Sequence, residues 1–295
     1  MMKYGISSDT FVNENLESIL PLAREFGVRY IELWGSNLEC NKNVPVHRYV
    51  FSDKNLEKAK RQLDDAGCSV SCLTFGIGND PEFYKDLDAY KREFSVAIDA
   101  AAFFGAKVIN HYCTYIFRGL EPDFDFLHRY WDDAIKKAES AGIVLALENE
   151  AMDVTCKPEN VLSLIQEFDS PSFKTNFDAT NYYHSGNEAF PYAYELLKDH
   201  IAYVHIKNGR RYIKEFCPDP GWIGVEPFTQ SMAGNLIYYT RTRDGVLNIH
   251  GLLQRLSSDG YEGYCTLEPH TTRENSIEAI KEEISYMKSI RIFED

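Results

Sequence analysis

A helical segment, a glycine and a short apolar run recur in that order along the chain. This repeat limits the possible folds more than any other feature. Gly27 precedes the run 28–33, Gly67 precedes 69–73, Gly105 precedes 107–111 and Gly142 precedes 143–147. Glycine suits the left-handed position that closes a helix, so each marks a helix end followed at once by a strand. The residues upstream agree. Ser52 and Asp53 can cap a helix carrying Leu56, Ala59, Leu63 and Ala66 on one face and charged residues on the other. Phe126, Leu127, Tyr130, Trp131, Ala134, Ile135 and Ala138 repeat that pattern over 124–140.

Extended along the whole chain, the pattern predicts eight strands, at 4–8, 30–34, 69–75, 107–112, 143–148, 173–178, 202–206 and 263–268. Helical crossovers force neighbouring strands to run parallel, and they wind with one hand. Eight such units in 295 residues predict an α/β protein of the (β/α)8 TIM-barrel type, a single domain over 1–295. An open doubly wound sheet is the runner-up, but it needs a glycine-rich phosphate loop after its first strand. That turn reads Ser7-Ser8-Asp9-Thr10, and after the third strand Gly76-Ile77-Gly78 is followed by Pro81 where a third glycine would stand. No nucleotide cofactor is therefore expected. The gap before the last strand is about twice the others and holds an aromatic loop at about 208–245, with Phe216, Trp222, Phe228, Tyr238 and Tyr239. A loop of that composition predicts a lid, a subunit contact or both.

Composition narrows the partners. A net charge of −14 repels polyanions, which argues against nucleic acid and anionic membranes but is neutral toward a small uncharged substrate. No stretch approaches the ~20 apolar residues of a membrane helix. The opening residues show no secretory signal, and seven scattered cysteines fit free thiols, so a cytoplasmic protein is expected.

The chemistry gathers at strand ends. Glu148, Asp178, His205 and Glu268 each close one of the last four barrel strands. In a TIM barrel the C-terminal strand ends converge on one mouth, where the active site is built. A carboxylate there is costly unless paired or bound to a cation, and three of them with one imidazole at equivalent positions predict one shared divalent metal ion. Oxygen-rich ligation with one imidazole favours Mn2+, with Mg2+, Co2+ and Zn2+ as alternatives. Lys207 follows His205 by two and should face the same side of its strand. Glu32 and Trp34 end the second strand and could form the opposite wall, Trp34 by stacking on an apolar face of a small ligand. His111 ends the fourth strand and is expected to contact substrate or support a ligand. His270 and Glu150 are rim candidates, and His184 reads as structural.

The run Leu145-Ala146-Leu147-Glu148-Asn149, the Asp178 strand end, His205-Ile206-Lys207-Asn208, Ile31-Glu32-Leu33-Trp34 and Gly260-Tyr261-Glu262-Gly263 with Leu267-Glu268 together resemble a known family. It is the sugar phosphate isomerase/epimerase group with a xylose-isomerase-like barrel, which includes ketose 3-epimerases of the tagatose and psicose type. The resemblance covers nearly the whole chain. It implies that Glu148 and Glu268 serve both as metal ligands and as the acid/base pair, with Asp178 and His205 as the remaining ligands. It also implies a sugar or sugar-derivative substrate and a homodimer or homotetramer. Arg211 stands where ketose 3-epimerases carry a substrate-binding arginine, although Arg210 is adjacent. The chain departs from the pattern at Asn181, where those enzymes place a histidine, and at Arg241-Thr242-Arg243-Asp244-Gly245, whose arginines could meet a phosphate or carboxylate.

Three other readings of the same fold compete. An AP endonuclease needs a trinuclear cluster with extra histidines that this chain lacks. A keto-inositol or keto-sugar dehydratase or lyase could use the same metal and enolate. A non-catalytic sugar-binding protein would not need two carboxylates at metal distance.

Overall fold

Helix α1 (Leu16–Phe26) starts on Asn15, whose side chain accepts from Ser18 N, and stops at Gly27 with φ 69°. Helix α2 (Asp53–Ala66) comes next, and α3 (Leu87–Phe104) and α4 (Phe124–Ala141) are capped by Asp86 and Asp123 and closed by Gly105 and Gly142. Each carries its apolar stripe inward, so the next strand is delivered beside the one before it. The computed structural model describes residues 1–11, 14–38, 53–76, 84–213, 215–217, 230–271 and 275–294.

The resulting strands are β1 (Lys3–Ser7), β2 (Tyr30–Trp34), β3 (Ser69–Phe75), β4 (Val108–His111), β5 (Val144–Glu148), β6 (Phe173–Asp178) and β7 (Ile201–Ile206). They are joined by β10 (Tyr264–Leu267) into a closed eight-stranded barrel, in the order β1-β10-β7-β6-β5-β4-β3-β2. Every pairing is parallel. The barrel is wrapped by α1 to α4, α5 (Pro158–Phe168), α8 (Ile249–Ser258) and α9 (Ser276–Ile290), with the short α6 (Ala179–Ser185) and α7 (Tyr194–Leu197) between β6 and β7.

Two apolar layers hold it. The larger lies between barrel and helices, where Leu145, Leu147, Phe173 and Phe177 meet Leu127, Trp131 and Leu164 with almost no exposure. The smaller fills the barrel itself with Cys72, Val108, Ala146 and Tyr203. The Tyr203 hydroxyl there bonds Ser71 Oγ and Thr266 Oγ1, so its polar end is satisfied inside the barrel.

The long segment after β7 departs from the repeat. Its described part pairs β8 (Asn208–Arg211) with β9 (Ile237–Thr240) as an antiparallel hairpin outside the barrel. Trp222 and Phe228 of the expected aromatic loop lie outside the described residues, as do Ile77, Gly78 and Pro81. Beyond the hairpin, the segment 241–243 is gripped by α9. Glu282 pairs with Arg241 at 2.5 Å and Arg243 at 3.8 Å, and the buried Glu283 accepts from Thr242 N at 2.8 Å. The loop arginines expected to meet a phosphate or carboxylate thus have carboxylate partners within the chain.

Candidate metal centre

Register brings the strand ends level. Asp178 lies opposite His205 across β6 and β7, Glu148 opposite Asn176 across β5 and β6, and Thr266 opposite His205 across β10 and β7. Parity then points Glu148, His205 and Glu268 inward. Glu148, Asp178, His205 and Glu268 each offer one ligand atom, and these atoms all lie within 4.8 Å of one another. All four are buried. His205 Nδ1 is 3.0 Å from Glu148 Oε1 and 3.3 Å from Glu268 Oε2.

Each carboxylate is held by its second oxygen or its backbone. Glu148 Oε2 accepts from Asn110 Nδ2 at 2.8 Å and Asn176 Nδ2 at 3.4 Å, which leaves Oε1 turned toward His205. Asp178 caps α6, its Oδ1 accepting from Thr180 N at 2.8 Å and Asn181 N at 3.0 Å. Asn149 pins the Asp178 backbone through both its amide atoms. Lys207 faces the side of His205, as alternation requires, with Nζ 2.9 Å from Asp178 Oδ2 and 2.8 Å from Glu268 Oε2.

The charge balance is lopsided. Burial would raise the Glu268 carboxyl, but His205 and Lys207 hold it well below the usual range. Burial would lower His205, yet Glu148, Glu268 and Glu32 hold the imidazole far above its ordinary value. Asp178 is raised by burial, and burial with neighbouring Glu148 pushes Glu150 well up. Buried Glu32, Glu148, Asp178 and Glu268 thus face two described cations, His205 and Lys207. Asp178 Oδ2 is buried, and among the described residues its one close partner is Lys207, in ion-pair contact at 2.9 Å. An under-satisfied carboxylate oxygen beside two other carboxylates and an imidazole is a donor set that fits a divalent ion.

Not every expected residue arrives at this centre. Glu32, expected on the wall, forms the floor: it is fully buried, with Oε2 2.8 Å from His205 Nε2 and Oε1 accepting from Thr74 Oγ1. His111 turns outward, because it registers with Leu147 while Asn110 registers with Ala146, two residues before Glu148. It sits between the barrel and the helices against Phe94, Trp131 and Phe173, with neither ring nitrogen hydrogen-bonded. His111, expected to contact substrate or support a ligand, is therefore packed in the core and turned away from the clustered carboxylates. Arg211 is exposed and bonded to Asn235, in a groove lined by Tyr183, His184, Glu188 and Ile237 that contains none of the four clustered residues. The hairpin thus places Arg211, expected at the substrate, in a groove apart from the four clustered residues.

Others do line the mouth. Asn181 Nδ2 lies 3.4 Å from Glu148 Oε1. Trp34 gives its Nε1–H to Ser7 Oγ and stands beside Tyr112, ring centroids 6.1 Å apart. His270 stacks on Tyr239 at 4.3 Å, with Nε2 3.4 Å from Lys207 Nζ. His184 donates its Nε2–H to Asn235 O at 2.9 Å. The residues missed from sequence are Asn110, Asn176, Asn149 and Tyr112. Parity carried the signal for Asn110, since it follows the inward face that ends in Glu148.

A parallel barrel with an acidic, histidine-bearing centre at its C-terminal mouth defines the class, and residues 20–290 match the xylose isomerase-like TIM barrel family. The chain belongs to that family. No curated protein matches the sequence. Among solved structures it is similar to the 3-keto-D-glucoside 4-epimerase YcjR of E. coli, at 18% identity and TM-score 0.67, covering 98% of this chain and 100% of that one. It is also similar to a xylose isomerase-like TIM barrel protein of Mycobacterium smegmatis in complex with magnesium, at 17% identity and TM-score 0.69, covering 98% and 96%. A third is the probable 3-DHS dehydratase AsbF of Bacillus anthracis, at 20% identity and TM-score 0.64, covering 97% and 99%.

Proposed function

We propose that this chain is a divalent-metal-dependent isomerase or epimerase of a sugar or sugar derivative, with Glu148 and Glu268 as its acid/base pair. One observation carries the reading. The two glutamates sit with Asp178 and His205 in a single buried set of donor atoms, all within 4.8 Å. Glu148, Asp178, His205 and Glu268 would hold the ion, Mn2+ by preference. When bound it polarises a substrate carbonyl and the neighbouring hydroxyl, acidifying the adjacent C–H.

The chain's own residues do the rest. Glu268, kept ionised beside His205 and Lys207, is a proton acceptor at neutral pH. Lys207 anchors Glu268 and Asp178 and has Nζ within reach of a substrate oxygen between them. Asn181 lies close enough to Glu148 to touch the same substrate. Trp34, and His270 with Tyr239 stacked behind it, are flat rings near the centre for a sugar to meet. Removal of a proton by one glutamate and return by the other to the opposite face gives an epimer. Return to the neighbouring carbon gives an aldose–ketose pair.

Incubation with ketoses and keto-inositols in D2O tests this, because the position of deuterium separates the outcomes. Glu148→Gln and Glu268→Gln should each abolish C–H exchange. Normal exchange in either variant removes that residue from the acid/base role. The likeness to a dehydratase favours one second reading, expulsion of a hydroxyl from the same enolate, which the experiment would register as loss of water. The six described cysteines are buried free thiols, which supports a cytoplasmic setting. A homodimer or homotetramer is the assembly that the family resemblance supports.

A further inference from the structure

Glu32 stands outside the four clustered donors. It is fully buried on β2, a layer below Trp34 on the same inward face, and it meets His205 from across the barrel. Its Oε2 lies 2.8 Å from His205 Nε2, and its Oε1 accepts from Thr74 Oγ1. The other ring nitrogen, Nδ1, faces Glu148 Oε1 at 3.0 Å and Glu268 Oε2 at 3.3 Å. A neutral imidazole carries one N–H, and an ionised carboxylate can only accept. Without an ion both ring nitrogens face carboxylates. With one held among Glu148, Asp178 and Glu268, Nδ1 would turn a lone pair to it, and the single N–H of the neutral ring, on Nε2, would point at Glu32.

We propose that Glu32 is a positioning residue for the metal centre: it fixes the Nε2–H tautomer and ring angle of His205 so that Nδ1 presents its lone pair to a divalent ion. The inference rests on the reading of Glu148, Asp178, His205 and Glu268 as metal-binding. A carboxylate behind a ligating imidazole also raises the donor strength of the ring, and such partners typically govern ~10–100-fold in metal affinity. Thr74 completes the device. By donating to Oε1 it leaves Oε2 as the oxygen that meets the imidazole, so the contact cannot rotate freely.

Glu32→Gln tests the device because the amide reverses the hydrogen bond. With Thr74 Oγ1 still donating to its oxygen, the glutamine turns its NH2 toward His205 Nε2 and drives the hydrogen onto Nδ1. Wild-type protein and E32Q, each stripped by chelator, are titrated with Mn2+ and followed by the loss of the free-ion electron paramagnetic resonance signal. The expected result is one Mn2+ per wild-type chain and an affinity lower by about 10–100-fold in E32Q. Equal affinities for the two proteins overturn the proposal and leave the metal reading standing. Failure of wild type to bind any Mn2+ removes both together. If E32Q does not fold, wild-type protein labelled with 15N-histidine and loaded with diamagnetic Zn2+ decides the matter. Hydrogen on His205 Nε2 supports the proposal, and hydrogen on Nδ1 overturns it.

Discussion

An uncharged His111 ring packed among Phe94, Trp131 and Phe173 gives this protein a measurable weakness to acid. Burial pushes its pKa down to about 3. In the unfolded chain an imidazole titrates near ~6.5. Above that pH both states are neutral, and the group contributes nothing to the pH dependence. As pH falls from ~6.5 toward 3, the unfolded chain takes up a proton that the folded one refuses, so stability drops by ~1.4 kcal/mol per pH unit. His111→Phe keeps an aromatic ring in the niche and removes the titration. Its stability relative to wild type should rise steadily as urea melts are taken from pH 6.5 to 4, and a constant difference would show that the ring protonates normally. At the centre itself, Asp178→Ala should abolish stoichiometric divalent-metal binding, read by elemental analysis after gel filtration. It removes the under-satisfied Oδ2 and leaves Lys207 leaning on Glu268 alone. Metal retained at one per chain would contradict the ligand assignment.

The elements were legible because their ends are written in local chemistry. Residues 30–34, 69–75 and 173–178 are strands with the bounds the apolar runs predict, and the others move by no more than two residues at either end. Gly142 shows why. It closes α4 at φ 62°, and a Cβ built there meets nothing within 4 Å, so its role is conformational alone. Gly142→Ala should cost ~1–2 kcal/mol, the price of a left-handed residue with a side chain, measured as a shift in urea midpoint with unchanged slope. Gly5→Ala should cost more, since its Cβ would lie 2.8 Å from Tyr30 O on the neighbouring strand. What local chemistry did not reveal is which face of a strand looks inward. His111 and Asn110 are adjacent, and residue type favoured the histidine, but the register with β5 sends Asn110 to Glu148 and His111 to the helices. The hairpin β8–β9 was likewise hidden, because its pairing joins residues with 25 others between them.

For the molecule as a whole, the metal centre sits on a barrel whose apolar core stands apart from it. The wide layer of Leu145, Leu147, Phe173 and Trp131 does not include the clustered carboxylates and their cations. Chelation should therefore leave the protein folded but less stable. Mn2+ at 100 times its dissociation constant should return ~2.7 kcal/mol, and a thermal melt unmoved by either EDTA or Mn2+ would contradict a site formed only in the folded chain. The amino-acid sequence by itself determined the eight strands, the helices between them and the four residues that end the last strands, because periodicity, caps and strand-end residue types act over a few neighbours. Only the tertiary structure decided that Glu32 lies beneath His205, that Asn110 and Asn176 hold Glu148, and that Arg211 turns to Asn235. Those contacts join strands that are far apart in the chain, and the register and closure of the barrel set them.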